Sequence, residues 1–74
     1  MEHVKYQIIE CLGVLSATPS GWTKELNLIS WNNGEPKYDV RQWSPDHSKM
    51  GKGISLSREE AQELVNLLGK WLPK

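Results

Sequence analysis

One strand-like segment in the middle of the chain gathers basic and aromatic residues on one side. Residues from Pro36 to Trp43 alternate in character, and successive side chains of a strand point to opposite faces. One face carries Tyr38 and Val40, and the other carries Lys37, Asp39, Arg41 and Trp43. Positive charges follow nucleic-acid phosphates, and flat rings stack on unpaired bases. The second face is therefore predicted to bind phosphates through Lys37 and Arg41. The alternative is a solvated face on which Asp39 pairs with one of these cations.

The four tryptophans are a second unusual feature, because the 74 residues include no phenylalanine. Trp31 and Trp43 lie on polar strand faces, where an exposed ring is typical of base stacking, worth about 1–3 kcal/mol per base. Trp22 fits either stacking or the end of the core, and Trp71 fits the core or a dimer interface. Asn27 is a candidate for hydrogen bonding to a base edge. The full predicted nucleic-acid-binding set is Trp22, Lys24, Asn27, Trp31, Lys37, Arg41, Trp43, Lys49 and Lys52.

Length and charge limit the possible classes of protein. We expect one domain over residues 1–74. Nine basic residues balance nine acidic ones, which argues against an indiscriminate binder of polyanions and requires local segregation of charge. A chain this short has a marginal core. Cys11 is the sole cysteine, so it cannot form an intramolecular disulfide and is predicted to be a small buried hydrophobe. Self-association is the remaining way to add stability.

The sequence carries no pattern of residues typical of an enzyme. His3 and His47 lack partners for nucleophilic or metal chemistry and are predicted to be solvated surface residues. Gly51-Lys52-Gly53 is too short for a phosphate-binding loop. We therefore expect no catalytic activity, cofactor, metal or small-molecule substrate. The N-terminal residues resemble no signal peptide and no segment approaches the ~18–20 apolar residues of a membrane helix, so we expect a cytoplasmic protein with no membrane partner.

Alternation and turn residues predict four strands followed by a helix, an α+β fold. The first strand lies within Val4 to Leu15, with a bulge or bend at Gly13, and is followed by a turn over residues 17–21. The second runs from about Trp22 to Trp31, and Asn32-Asn33-Gly34 predicts a hairpin into the third, Pro36 to Trp43. The fourth is a short strand from Gly53 to Leu56, after a loop from Ser44 to Gly51. Ser57 and Glu60 form a capping-box pattern that starts the helix, and Pro73 ends it.

The predicted helix carries a wide apolar stripe at helical spacing. Its members are Ala61, Leu64, Val65, Leu68, Trp71 and Leu72, and Leu67 widens it. The stripe is wider than one contact with a sheet requires. It is compatible with plain core packing or with a second interface.

Two segments together resemble the transcriptional positive cofactor four family. They are Tyr38-Asp39-Val40-Arg41-Gln42-Trp43 and, after a polar loop, Gly51-Lys52-Gly53-Ile54-Ser55-Leu56-Ser57 leading into a capped helix. The second segment is the more specific. The chain looks like a compact bacterial or phage stand-alone member. The resemblance implies a curved four-stranded antiparallel sheet with one C-terminal helix, paired through the helices into a homodimer that holds a looped single strand. The implied interface residues are Leu64, Leu67, Leu68 and Trp71.

The resemblance also implies roles for individual residues. Arg41 matches the strand arginine that the family uses on the phosphate backbone. Trp43 resembles the family's stacking tryptophan, although it follows Arg41 by two residues instead of three. Trp31 is the ring nearest to the family's hairpin aromatic. Lys49 and Lys52 lie in a loop that is shorter than in eukaryotic members and are expected to close over the strand.

The resulting prediction is sequence-tolerant binding of single-stranded DNA by a homodimer. Such a protein would be nucleoid-associated and would support transcription, replication, recombination or repair. One alternative is binding of single-stranded RNA, for which no contact to the 2′-hydroxyl is identifiable. Another is a protein-interaction module in which the tryptophans are hot spots for a protein partner.

Overall fold

A computed structural model describes residues 5–73 and has four antiparallel strands in the order β1-β2-β3-β4, followed by one helix. The elements are β1 (Tyr6–Ala17), β2 (Thr23–Trp31), β3 (Pro36–Trp43), β4 (Met50–Leu56) and α1 (Arg58–Trp71). The predicted α+β fold, an open four-stranded sheet with a C-terminal helix, is confirmed. His3 and Val4 lie outside the described residues. No helix in the described part of the chain is long and apolar enough to cross a membrane.

The first strand is long and irregular. Its pairing with β2 shifts register three times, and one shift falls between Cys11 and Gly13, where the sequence predicted a bulge. Bulges bend a strand and increase its twist, so β1 curls along the sheet edge. All twelve of its residues are exposed. The prediction that Cys11 is buried is therefore wrong, because β1 is an edge strand and the helix contacts β3 and β4 closely instead of covering it.

The hairpin turn at residues 32–34 forms as predicted, and the fourth strand is longer than predicted. Asn32 and Asn33 have φ of 50° and 61°, the left-handed conformation that asparagine tolerates, and the Gly34 N–H donates to the Trp31 carbonyl at 2.8 Å. The strand β4 begins at Met50, three residues before the predicted start. The Ser44 N–H donates to the Lys49 carbonyl at 2.9 Å, which brings the chain back into pairing directly after the loop.

The helix begins and ends as its sequence predicts. The Glu60 N–H donates to Ser57 Oγ at 3.0 Å, and the Ser57 N–H donates to Glu60 Oε1 at 2.8 Å, which completes the capping box. The helix ends at Trp71, two residues before Pro73. It contacts only β3 and β4 closely, and none of its residues is buried.

The sheet has two faces with different composition. We call one the polar face; it carries Glu25, Asn27, Ile29, Trp31, Lys37, Asp39, Arg41, Trp43 and Ser55. The other, the apolar face, carries Leu26, Leu28, Tyr38, Val40, Ile54 and Leu56 and is turned toward α1. Between the apolar face and α1 lies an open cleft of about 390 Å³. The fully buried side chains, Trp43, Ile29, Asn27 and Asp39, all lie on the polar face.

Candidate nucleic-acid interface

Aromatic rings from three strands meet on the polar face. Tyr6 of β1 pairs directly with Trp31 of β2, and its ring centroid lies 5.7 Å from that of Trp31 and 5.7 Å from that of Trp43. Tilted pairs at such distances are favourable. Trp31 is half-buried, whereas Trp43 is fully buried. The expectation of an exposed ring is therefore wrong for Trp43, because Tyr6 and the 44–49 loop pack against it.

Arg41 is held within the protein by several partners. Its Nε and Nη2 donate to the two oxygens of Asp39 at 2.7 and 2.8 Å, and its Nη1 donates to the Gly51 carbonyl at 3.4 Å. The guanidinium also lies 4.8 Å from the centroid of the Trp31 ring. With 15% of its side chain exposed, Arg41 presents little free charge to a ligand. Asp39 fixes the position of the Arg41 guanidinium. The guanidinium therefore supports the Trp31 ring as well as carrying a positive charge.

Glu25 forms a second buried polar cluster. Its carboxylate accepts hydrogen bonds from Thr23 Oγ1 and from Asn27 Nδ2, and its Oε2 lies 2.8 Å from His47 Nε2. Burial raises the pKa of Glu25, but the hydrogen bonds from Thr23, Asn27 and His47, with the charge of His47, outweigh it and hold that pKa below its usual range. Glu25 is therefore a buried carboxylate that stays ionised.

His47 connects this cluster to the aromatic rings. Its imidazole stacks on Trp43, with centroids 5.6 Å apart and planes at 26°. His47 lies at the surface, as predicted, with 46% of its side chain exposed, but the loop conformation also turns its ring back over the sheet, where it contacts Glu25 and Trp43. Its backbone has φ of 61°, a left-handed conformation that is uncommon for residues other than glycine, although asparagine, aspartate and histidine adopt it more often than the rest.

Three buried polar atoms on the polar face have no hydrogen-bond partner among residues 5–73. They are Asn27 Oδ1, Trp31 Nε1 and Trp43 Nε1. An unpaired buried polar group costs about 1–3 kcal/mol, and in a native structure such a group calls for a specific explanation, such as an ordered water or a functional role. Asn27 is fully buried, so its side chain is not accessible for the predicted hydrogen bond to a base edge in this structure.

The lysines of the predicted site are exposed but do not share one face. Lys37 lies on the polar face, four residues and about 13 Å along β3 from Arg41. Lys24 alternates with Glu25 and so projects with the apolar-face residues. Lys49 and Lys52 lie at the end of the loop and in the following bulged stretch of β4. The structure therefore brings Lys37 onto the same face as Trp31 and Arg41, and separates Lys24 from them.

The 44–49 loop forms one wall of a shallow cleft beside Trp22. The cleft has a volume of about 380 Å³ and is lined by Trp22, Ser44, Pro45, Asp46, Ser48 and Lys49. Hydrogen bonds from the backbone N–H and hydroxyl of Ser48 and from the hydroxyl of Ser44 lower the pKa of Asp46 to about 2. The half-buried Trp22 ring thus lies beside the 44–49 loop, which carries Lys49 and is held together by hydrogen bonds to Asp46.

Three contributors to this surface were not predicted from the sequence. Glu25 alternates with Asn27 along β2, and this spacing places it on the polar face, but the sequence indicated no role for it. Tyr6 is on this face because it pairs with Trp31 across β1 and β2, and its contact with Trp43 depends on the curvature of the sheet. His47 reaches the face through the loop conformation, which no local pattern reveals. Gly53 faces Arg41 across the β3–β4 ladder, where a Cβ would overlap the Arg41 Cβ and the Val40 carbonyl. Within the described residues, no group of three His, Cys, Asp or Glu is placed to hold a metal ion.

Comparisons with known proteins extend these observations. Residues 18–67 match the family model described as Transcriptional Coactivator p15 (PC4), a range that includes β2, β3, β4 and most of α1. An uncharacterized protein of Treponema pallidum (strain Nichols) is 51% identical over 63 residues, which cover 85% of this chain and 74% of that protein. The matched range contains every residue predicted from the sequence to bind nucleic acid and two of the predicted interface leucines at its end, Leu64 and Leu67.

Proposed function

Because the chain belongs to the transcriptional coactivator p15 (PC4) family, we propose that it is a homodimer that binds single-stranded DNA with little sequence preference. Membership supports, at the level of the family, a single-stranded-DNA-binding function of the coactivator type. The observation that carries the proposal is that the family match spans the three strands that build the polar face. The process served is one that exposes single strands: transcription, replication, recombination or repair.

The proposed DNA contacts divide by accessibility. Phosphates are bound by the exposed lysines Lys37, Lys49 and Lys52, because their charges are free to meet a ligand. Bases stack on Trp31, which is half-buried and is backed by Arg41. Arg41 acts mainly through Trp31, since Asp39 already neutralises its charge. Trp43 becomes available only when the 44–49 loop moves.

The exposed apolar surface supports the homodimer. A monomeric globular protein of this mass is expected to expose about 4,700 Å², whereas the chain exposes 6048 Å². Leu64, Leu67, Leu68 and Trp71 are all exposed, and Trp71 is 73% exposed. A surplus of this order is comparable to what one partner buries in a stable interface, about 800 Å² or more. We therefore assign α1 as the surface that pairs with a second copy.

A tryptophan-fluorescence titration with an oligo-dT of about 20 nucleotides, at low and at moderate salt, tests the proposal. We expect saturable quenching and an affinity that falls with salt with a slope of about −0.7 per phosphate neutralised. Duplex DNA of the same length should bind more weakly, because its stacked bases cannot reach the rings. An RNA oligonucleotide of matched sequence measures the preference for DNA. No quenching at low salt by a folded sample would contradict the proposal and favour a protein-interaction module.

Lysine variants locate the binding face. Arg41→Ala would disturb the fold as well as binding, so Lys37→Gln is the cleaner test; it should lower the magnitude of the salt slope by about 0.7. Lys24→Gln is the matched comparison, because it removes the same charge from the opposite face of the sheet. An equal loss of slope in the two variants would show that binding is not confined to the polar face.

A further inference from the structure

Tyr6 from β1 and His47 from the 44–49 loop both pack against the fully buried Trp43 ring. The His47 imidazole stacks on it, with centroids 5.6 Å apart. The His47 side chain is itself 46% exposed, so the imidazole separates the indole from solvent on this side. A half-exposed ring stacked at 26° occupies the kind of position that a nucleic-acid base takes on an aromatic platform.

His47 is fixed from the sheet and not only from its own loop. Its Nε2 lies 2.8 Å from Glu25 Oε2, and Thr23 and Asn27 bind the same carboxylate from β2. The residue also holds a φ of 61°, a backbone conformation that costs free energy for histidine. Hydrogen bonds within the loop also hold this conformation, and the pair with Glu25 and the ring contact with Trp43 join His47 to the sheet.

We propose that His47 and Glu25 are positioning residues for single-strand binding: the imidazole covers Trp43 in the free protein, and a base that stacks on Trp43 displaces it. The inference rests on the proposed function and names a step within it. Glu25 acts only through His47 and does not touch the DNA. The burial of Trp43 is then compatible with its predicted stacking role, because the ring becomes accessible to DNA once the loop opens.

The displacement has a measurable cost. A binding site that is open in only a fraction of molecules has its apparent affinity reduced by that fraction. A partly exposed ion pair contributes about 0.2–1 kcal/mol, so freeing Trp43 from His47 should raise the affinity for single-stranded DNA by up to about fivefold.

The test compares wild-type protein with His47→Asn, which tolerates the positive φ but carries no ring to cover the indole. Two readouts are used: affinity for the 20-nucleotide oligo-dT, and the indole N–H signal of Trp43 in a nuclear magnetic resonance spectrum, assigned with Trp43→Phe. We expect tighter binding, together with faster solvent exchange of the Trp43 N–H without DNA. Glu25→Gln, which keeps the side-chain shape, should change both readouts in the same direction.

Ser48→Ala is the matched control, because it removes one hydrogen bond within the same loop without touching Trp43 or Glu25. Equal gains in Ser48→Ala and His47→Asn would overturn the role of His47, as would unchanged or weaker binding by His47→Asn. If neither protein binds the oligonucleotide although the Trp43 N–H becomes accessible, the proposed function fails and the covering contact stands. The two failures are therefore distinguishable.

Discussion

On the polar face of the sheet, Asn27, Asp39 and Trp43 are fully buried, whereas on the opposite face of the same strands Leu26, Leu28 and Val40 remain partly exposed. The two faces are thus buried in the reverse order of their hydrophobicity. On the polar face, curvature turns side chains toward one another, and nearly every charge finds a partner there. The apolar face meets only one helix across an open cleft.

The difference indicates that the two faces are shielded from solvent in different ways. The polar face is a small interior closed by hydrogen bonds and aromatic contacts within one chain. The apolar face and α1 form a surface that a second molecule is proposed to cover. Removing buried contacts of the polar face should lower the free energy of unfolding, whereas changes on α1 should weaken the proposed dimer.

The largest effect is expected for Gly53→Ala. A Cβ at this position overlaps the Arg41 Cβ and the Val40 carbonyl, and backbone atoms cannot be moved aside by a rotamer change. We expect a loss of about 3 kcal/mol or more in the free energy of unfolding, measured by urea denaturation. Gly69→Ala is the control, since a Cβ there meets nothing within 4 Å and helix propensity should make it neutral or stabilising. Equal stability of the two variants would contradict the close approach of β3 and β4.

Asp39→Asn tests the charge pairing on the polar face. It leaves the guanidinium of Arg41 largely buried without its counter-ion and weakens the bond from Ser55 Oγ, which is 2.9 Å long in the native protein. We expect a loss of about 2–3 kcal/mol in the free energy of unfolding. The double variant Asp39→Leu, Arg41→Met should recover much of it, because no isolated charge remains. A single variant as stable as wild type would show that the pair does not hold the polar face.

Leu67→Glu tests the other surface. Leu67 is exposed on α1 and does not line the cleft facing the sheet, so the chain should stay folded while the proposed dimer weakens. Loss of one buried leucine is worth about 1.5–3 kcal/mol, so the dimer dissociation constant should rise about tenfold or more in sedimentation equilibrium. Asn66→Glu adds the same charge to the polar side of the helix and should leave association unchanged. A wild-type chain that is monomeric at high concentration would refute the assignment.

The smallest effect concerns the loop that carries His47. The pKa of Asp46 is lowered from 3.8 to about 2, so the stability that its hydrogen bonds supply is present above pH 4 and is lost as the pH falls through about 2. In Asp46→Asn this component of the acid dependence should disappear. The check is the chemical shift of the Ser48 amide between pH 5 and pH 1.5 in the two proteins. A titration of that amide that persists in the variant would contradict the assignment.

Much of the fold could be predicted because its signals are local. Alternation defined β2 and β3, the asparagines defined the hairpin, and the Ser57–Glu60 pair defined the start of α1. The placement of Lys37, Arg41 and Trp43 on one face follows from the two-residue period of a strand. The early start of β4 could not be read, because it depends on a loop bond between Ser44 and Lys49.

The sequence by itself determined the order of the elements, the family and the membership of each sheet face, because these depend on neighbouring residues or on motifs along the chain. Only the tertiary structure decided which face is buried. That outcome depends on the bulges of β1, which bring Tyr6 to Trp43, and on a loop that returns His47 to Glu25, 22 residues away in the chain. Burial depends on distances between distant segments, and a pattern within one strand does not contain them.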